Sequence, residues 1–257
     1  MPRQKIQGAD HFYLYQDFGR TRTLLFSNSL GADHTMWDPQ VETLSSEYNL
    51  LRYDTRGHGL SEVTPGEYSA ALLGGDVIGL LDSLGLQRVV FCGLSMGGLV
   101  GQWLLRHAPE RFHSIVLCNT ANKIGTEESW NERIDFVRSQ GLTPLLQATA
   151  QRWFTSQFRE QHPDQVETVL DRFARTSPAG YVANCAMVRD ADFRSPAANT
   201  NQVPVLVISG EHDGVTTVEH GQQLADTINN SRHIRLSAAH LSNVEAAEEF
   251  NAHLLTL

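Results

Sequence analysis

Short, uninterrupted apolar runs recur along the chain and end at small or polar residues. They cover residues 23–27, 49–53, 88–92, 114–118 and 204–208. Because apolar and polar positions do not alternate within them, these runs are typical of strands buried on both faces of a parallel sheet. Near the N-terminus, the segment from Ile6 to Tyr15 indicates a leading antiparallel hairpin.

The intervals between these runs have the spacing of amphipathic helices. Apolar residues recur at helical spacing before Gly85 and again before Pro109, namely Leu72, Val77, Leu80 and Leu81, then Leu99, Trp103, Leu104 and Leu105. Strands that alternate with helices in this way predict a doubly wound α/β sheet.

This alternation stops between about residues 121 and 199. The segment contains no buried-strand run, and apolar residues are spread through it as on amphipathic helices: Trp130, Phe136, Leu145, Trp153, Phe154, Val169 and Phe173. We therefore predict one core domain formed by residues 1–121 and 200–257. A helical cap, residues 122–199, is inserted into that core.

Composition excludes some classes of partner. The chain has 257 residues and a formal net charge of −9, which argues against a nucleic-acid-binding surface. The N-terminus lacks an apolar signal core, and no segment is long enough to cross a membrane. The three cysteines are isolated and lack metal-ligand spacing, so we expect buried free thiols, no metal site and a cytoplasmic protein.

A candidate nucleophile lies directly after the run at 88–92. Residues 93–97 read Gly-Leu-Ser-Met-Gly, and an apolar helix follows them. The G-x-S-x-G pattern alone is weak, but the setting of strand, turn and helix is the one that a nucleophile elbow needs. We predict that Ser95 is the nucleophile.

A serine hydroxyl needs a base within hydrogen-bonding reach and an acid that orients the base. His240 lies in a small-residue loop after a strand-like segment, and Asp213 follows the run at 204–208. Glu211 is the competing acid. The order Ser95, Asp213, His240 is that of α/β-hydrolases and differs from the two common serine-protease orders.

The reaction also needs donors for a developing oxyanion. The backbone N–H of Met96, at the predicted helix start, supplies one donor. The loop at 28–31 follows the first long strand, so we expect the second donor to be the backbone N–H of Leu30. The segment 52–59 contains Arg56 and His58, which we expect to stabilise a tight turn rather than to act in catalysis.

Several motifs together resemble one known family, the 3-oxoadipate enol-lactonases. They are SNSLG (27–31), RYDTRGHG (52–59), CGLSMGG (92–98), LCNTA (117–121), RWFT (152–155), GYVANC (180–185), ISGEHD (208–213) and AAHLSNVE (238–245). The resemblance spans nearly the whole chain. It implies the α/β-hydrolase fold and hydrolysis of 3-oxoadipate enol-lactone, an anionic small molecule, without a metal or organic cofactor.

The carboxylate of such a substrate requires a cation once it is desolvated. Arg133 and Arg152, in the predicted cap, are suited to this. Our hypothesis is that Trp130, Arg133 and Trp153 face the pocket and that Arg133 pairs with the carboxylate. Asn119, Tyr181 and Asn184 are further candidates for the pocket lining.

The same triad would also serve other esterases and carbon–carbon-bond hydrolases, because fold does not fix substrate. A small-molecule receptor of this fold is the alternative from another class. An intact set of Ser, Asp and His favours an enzyme over a receptor, and labelling by a serine-directed fluorophosphonate would discriminate between them.

Overall fold

The computed structural model describes residues 2–195 and 203–257. Its strands form one sheet in the order β1-β2-β4-β3-β5-β6-β7-β8. Their bounds are β1 Arg3–Ile6, β2 Ala9–Gln16, β3 Thr23–Ser27, β4 Asn49–Tyr53, β5 Val89–Leu94, β6 Phe112–Cys118, β7 Val205–Gly210 and β8 Ser231–Leu236.

The predicted strand runs and the leading hairpin are confirmed. β1 pairs antiparallel with β2, and β2 pairs antiparallel with β4, whereas every pairing from β4 to β8 is parallel. β3, β4 and β5 are buried along their full length. The uninterrupted apolar runs thus correspond to strands covered on both faces.

Helices follow the strands as the doubly wound pattern requires. In the core they are α1 Asp38–Leu44, α2 Ala70–Ser83, α3 Met96–His107, α9 Val218–Asp226, α10 Ser242–Glu245 and α11 Ala247–Leu254. α2 packs against α3, α1 packs against α11, and α9 packs against β7 and β8. The helices predicted before Gly85 and Pro109 are therefore α2 and α3.

The carboxyl ends of the parallel strands bring distant segments to one edge of the sheet. The loops after β3, β5, β6, β7 and β8 contain Leu30, Ser95, Asn119, Asp213 and His240, respectively. Ligand sites of open α/β sheets form at this edge.

In the described part of the chain, five α-helices lie between β6 and β7. We call them the cap helices: α4 Glu127–Gln140, α5 Leu146–Trp153, α6 Ser156–Gln161, α7 Pro163–Arg175 and α8 Pro178–Asp190. Most of the apolar residues expected to form their inner faces are buried or half-buried, but Phe136 is 39% exposed. The predicted cap boundary at residue 199 lies outside the described residues.

Candidate active site

Ser95 occupies the sharp turn between β5 and α3. Its backbone angles are φ 58° and ψ −111°, a region in which a residue with a side chain is strained by about 1–3 kcal/mol. The turn is held on both sides: the Ser95 N–H donates to the Cys118 carbonyl over 2.8 Å, and the Thr120 hydroxyl donates to the Ser95 carbonyl over 2.9 Å. Ser95 thus lies in the sharp, strained turn between strand and helix that a nucleophile elbow requires.

The glycines that flank Ser95 are required by close backbone approaches. A Cβ atom at Gly93 would lie 2.2 Å from the carbonyl oxygen of Gly97. A Cβ atom at Gly97 would lie 2.2 Å from the carbonyl oxygen of Ser27 in β3. Side chains at these positions would push α3 away from the sheet and move Ser95.

Asp213 and His240 form a buried pair beside this turn. The His240 Nδ1 atom lies 2.8 Å from Asp213 Oδ2, and both side chains are almost fully shielded from solvent. The Asp213 carboxylate also accepts hydrogen bonds from the Thr216 hydroxyl at 2.7 Å and from the backbone N–H groups of Val215 and Thr216. Asp213 is thus the acid next to His240, as predicted in preference to Glu211.

The protonation state of Asp213 determines the tautomer of His240. Burial alone would raise the pKa of Asp213, but the charge and hydrogen bond of His240, with hydrogen bonds from Asn119 and Thr216, lower it to about 2. The ionised carboxylate can only accept, so Nδ1 of His240 carries the proton. The Nε2 atom of neutral His240 is therefore an acceptor.

Asn119 does not line the pocket, contrary to our expectation. It is fully buried, with a positive φ of 44°, directly after β6. Its amide donates to Asp213 Oδ2 over 3.0 Å and to the Ala239 carbonyl over 3.1 Å. Asn119 therefore stabilises the negative charge of Asp213. The sharp turn after β6 directs the Asn119 side chain beneath the loop that carries His240.

The loop that carries Leu30 is fixed by a neutral histidine. His58 Nε2 accepts a hydrogen bond from the Gly31 N–H over 2.8 Å, and burial lowers the pKa of His58 to about 4. Leu30 borders the cavity onto which Ser95 opens, and Met96 is the first residue of α3. The first N–H groups of a helix have no intrahelical acceptor, so the Met96 N–H is available to a ligand.

Ser95 and His240 open onto a cavity of about 220 Å³ beneath the cap helices. Its lining also includes Leu30 and Val215 from the core. From residues 124–188 it includes Ile124, Trp130, Arg133, Thr149, Arg152, Trp153, Phe173, Tyr181 and Val188. The structure thus brings Trp130, Arg133 and Trp153 to the same cavity, as hypothesised.

Two arginines lie side by side in this cavity. Burial, and then the positive charge of Arg133, lower the pKa of Arg152. Burial raises the pKa of Tyr181, and the positive charges of Arg133 and Arg152 both act to lower it, with a smaller effect. Arg152 also donates to the Thr149 hydroxyl over 3.3 Å. Among the described residues that line the cavity there is no Asp or Glu. The cap side of the cavity therefore has two half-buried cations and no carboxylate to neutralise them.

Aromatic packing supports this cationic wall. Trp153 meets Phe173 edge to face at 5.5 Å between ring centroids, and Phe173 meets Tyr181 in the same manner at 5.8 Å. The indole N–H of Trp130 donates to the Ile124 carbonyl over 2.6 Å. The polar edge of Trp130 is thus satisfied within the protein, which leaves its apolar ring for the cavity.

Sequence reasoning missed some supporting residues and misplaced another. Thr216 and Thr120 were not foreseen, because a threonine in a loop has no distinctive signal. Asn184, expected in the pocket lining, lies elsewhere: its amide donates to the carbonyls of Arg56 and Gly180. Arg56 pairs with buried Asp76, so the segment at 52–59 is structural, as expected.

Neither a metal-binding cluster nor a membrane-spanning helix is found among the described residues. Within residues 2–195 and 203–257, no cluster of three or more His, Cys, Asp or Glu side chains could hold a metal ion. In that same part of the chain, no helix is both long and apolar enough to span a bilayer. The three cysteines are free and buried, as expected.

The strand order, the strained serine between β5 and α3 and the buried Asp–His pair are together the features of an α/β-hydrolase. The family model of the α/β-hydrolase fold matches residues 22–247.

Comparison with individual proteins narrows the family. Two relatives from Acinetobacter baylyi, 3-oxoadipate enol-lactonases 2 and 1, are 46% and 40% identical to the chain. The alignments cover 92% and 88% of this chain and 89% and 85% of those proteins. The crystal structure of the enol-lactonase from Burkholderia xenovorans LB400 superposes with a TM-score of 0.96 at 41% identity, covering 99% of this chain and 98% of that one. The chain belongs to the α/β-hydrolase family of the 3-oxoadipate enol-lactonases.

Proposed function

We propose that the protein hydrolyses 3-oxoadipate enol-lactone to 3-oxoadipate, with Ser95, His240 and Asp213 as its catalytic triad. One observation supports this most directly. The Ser95 turn and the Asp213–His240 pair open onto a cavity whose opposite wall has two arginines and no carboxylate. A neutral ester would leave those cations without a counter-ion, whereas an anionic lactone would neutralise them.

In the first half of the reaction, Ser95 Oγ attacks the lactone carbonyl while His240 Nε2 takes its proton. The tetrahedral oxyanion accepts hydrogen bonds from the backbone N–H groups of Leu30 and Met96. Collapse of this intermediate breaks the ring C–O bond. The expelled enol oxygen takes the proton from His240 and then tautomerises to the ketone, leaving an acyl group on Ser95.

In the second half, His240 removes a proton from a water molecule that attacks the acyl carbonyl. The same two N–H groups stabilise the second oxyanion. When the ester bond to Ser95 breaks, the serine oxygen regains its proton from His240. The new carboxylic acid leaves and loses its remaining proton to water. Asp213 stays ionised throughout and stabilises the transient imidazolium.

Arg133 and Arg152 bind the free carboxylate of the lactone, which is distinct from the carboxyl group that hydrolysis produces. Their guanidinium groups offer planar arrays of donors suited to a carboxylate. Fixing this end of the molecule orients the lactone carbonyl toward Ser95, and such orientation accounts for a large part of enzymatic rate enhancement.

The test follows the ultraviolet absorbance of freshly prepared 3-oxoadipate enol-lactone with the wild-type protein and with Ser95→Ala side by side. We expect rapid loss of absorbance, slowed about 10⁴-fold or more in the variant, since removal of a triad member has effects of this order. Cleavage of aryl esters without lactone turnover would refute the substrate and keep the triad. Failure to react with either ester or with a fluorophosphonate would refute the enzyme.

A further inference from the structure

The two chain neighbours of His240 are both connected to the cap, Leu241 directly and Ala239 through Glu245 of α10. The N–H of Leu241 donates to the Trp153 carbonyl over 3.1 Å. The N–H of Ala239 donates to Glu245 Oε2 over 2.8 Å. The same Glu245 carboxylate accepts from the Thr155 N–H at 3.2 Å and 3.3 Å and from the Thr155 hydroxyl.

Glu245 therefore bridges two segments that are far apart in sequence. One is the loop at 239–241, which carries His240. The other is the segment at 152–155, in which Arg152 and Trp153 line the cavity. Only Phe154 separates Trp153 from Thr155, so the bridge and the Trp153 carbonyl together hold the end of α5 and the start of α6 against the histidine loop.

We propose that Glu245 is a positioning residue that fixes His240 relative to the substrate-binding segment of the cap. This inference rests on the proposed role of His240 as the base. The carboxylate takes no part in proton transfer, because it contacts backbone N–H groups and a hydroxyl rather than the imidazole. It fixes the distance between the His240 imidazole and the cap segment that contains Arg152. A lactone bound through its carboxylate is therefore held within reach of the imidazole.

The experiment compares Glu245→Ala, Glu245→Gln and Thr155→Val with the wild type. Active sites are first titrated with a fluorophosphonate, and kcat and KM are then measured per active site for the enol-lactone and a neutral aryl ester. We expect kcat to fall about tenfold in Glu245→Ala, because small displacements of catalytic groups are costly. In Thr155→Val kcat should fall by a smaller factor, because the Thr155 N–H still donates to Glu245. KM for the lactone should change less than kcat, and Thr155→Ser, which keeps the hydroxyl, should restore kcat.

Matched controls separate positioning from general destabilisation. Glu249→Ala removes an exposed carboxylate from α11, and Ser177→Ala removes the N-cap side chain of α8 just as Thr155→Val removes that of α6. Both controls should keep the wild-type kcat. If Glu245→Ala does not fold, Glu245→Gln and Thr155→Val carry the test.

The double variant Glu245→Ala/Thr155→Val is the decisive measurement. Residues that act through one bridge are not additive, so its kcat should equal that of Glu245→Ala. Losses that multiply, or a normal kcat in Thr155→Val, would overturn the proposal. The aryl ester distinguishes the two failures: an absence of lactone turnover in the wild type contradicts the proposed substrate, while the ester rates still test the bridge.

Discussion

The core side and the cap side of the cavity differ in whether the protein compensates their buried charges. On the core side, the Asp213 carboxylate accepts hydrogen bonds from His240, Asn119 and Thr216, and its pKa is lowered to about 2. On the cap side, Arg133 and Arg152 lie next to each other, and their mutual repulsion contributes to lowering the pKa of Arg152. One charge is compensated by the protein, and the other two are not.

This difference follows from what each side has to do. A group that orients a catalytic base must keep the same state before and after substrate binds, so its partners belong to the fold. A group that recognises an anion must offer unsatisfied donors to it, so its counter-ion arrives with the substrate. The core side is thus complete without a ligand, whereas the cap side is completed by one.

The largest expected effect comes from neutralising the compensated charge. In Asp213→Asn, the amide can donate to His240 Nδ1 and would favour the wrong tautomer. We expect kcat to fall about 10⁴-fold, as when the acid of a Ser–His–Asp triad becomes an amide. Enol-lactone turnover by protein whose circular dichroism matches the wild type is the measurement, and a loss below tenfold would contradict the assignment.

The next prediction is that stability depends on pH through His58. This residue lies between the core and the cap, because it contacts Gly31 in the loop after β3 and Asn184 in α8. Burial lowers the pKa of His58 to about 4 from an ordinary value near 6.5. Between these values the unfolded chain binds the proton more readily. The stabilisation is therefore complete above about pH 6.5 and is lost as pH falls toward 4, by roughly 3 kcal/mol in total.

Urea unfolding at pH 7, 5.5 and 4.5 would measure this change. Other groups titrate over the same range, so the informative quantity is the difference from His58→Gln, which carries no titratable group at that position. The wild type should lose more stability than the variant on acidification. Equal slopes for the two proteins would show that His58 binds its proton equally well in the folded and unfolded states.

The uncompensated charges on the cap side should affect substrate selectivity. We expect Arg133→Ala and Arg152→Ala each to lower kcat/KM for the enol-lactone by about 10–100-fold, the range for a hydrogen bond to a charged group. Hydrolysis of a neutral aryl ester should change little. Arg138→Ala, which removes an exposed arginine from the same helix as Arg133, is the matched control. An equal loss for both substrates would contradict a carboxylate-binding role.

The strands and the triad positions are the parts of the molecule that could be predicted from sequence. The strand runs could be predicted because burial on both faces leaves an uninterrupted apolar pattern. The positions of Ser95 and Asp213 could be predicted because each follows such a strand. His240 follows the half-exposed strand β8, which the sequence indicated only as a strand-like segment, and the carboxyl ends of parallel strands share one edge.

The environment of Asp213 could not be predicted in the same way. Asn119 also follows a strand, so the rule that located the triad placed it at the correct edge but in the wrong role. Its side-chain direction depends on a backbone with φ of 44°, and the apolar pattern of the preceding strand does not specify that angle. Likewise, Glu245 contacts Thr155 across 90 residues, and nothing in either segment alone indicates the other.

The smallest expected effect tests how far compensation on the core side is redundant. Thr216→Val replaces the hydroxyl that donates to Asp213 Oδ2 over 2.7 Å by a methyl group of similar size. Asp213 keeps its backbone donors, Asn119 and His240, so we expect a loss of about 1 kcal/mol in the free energy of unfolding and only a few-fold decrease in kcat. Thr168→Val, which removes a hydroxyl that donates to a backbone carbonyl on the exposed face of α7, is the control on the cap side and should leave kcat unchanged. A fall in kcat that approaches that of Asp213→Asn would mean that the partners of Asp213 act as one cooperative network. The charge of Asp213 would then be stabilised only when every donor is present. The core side would have no spare donors, and in this respect it would not differ from the cap side.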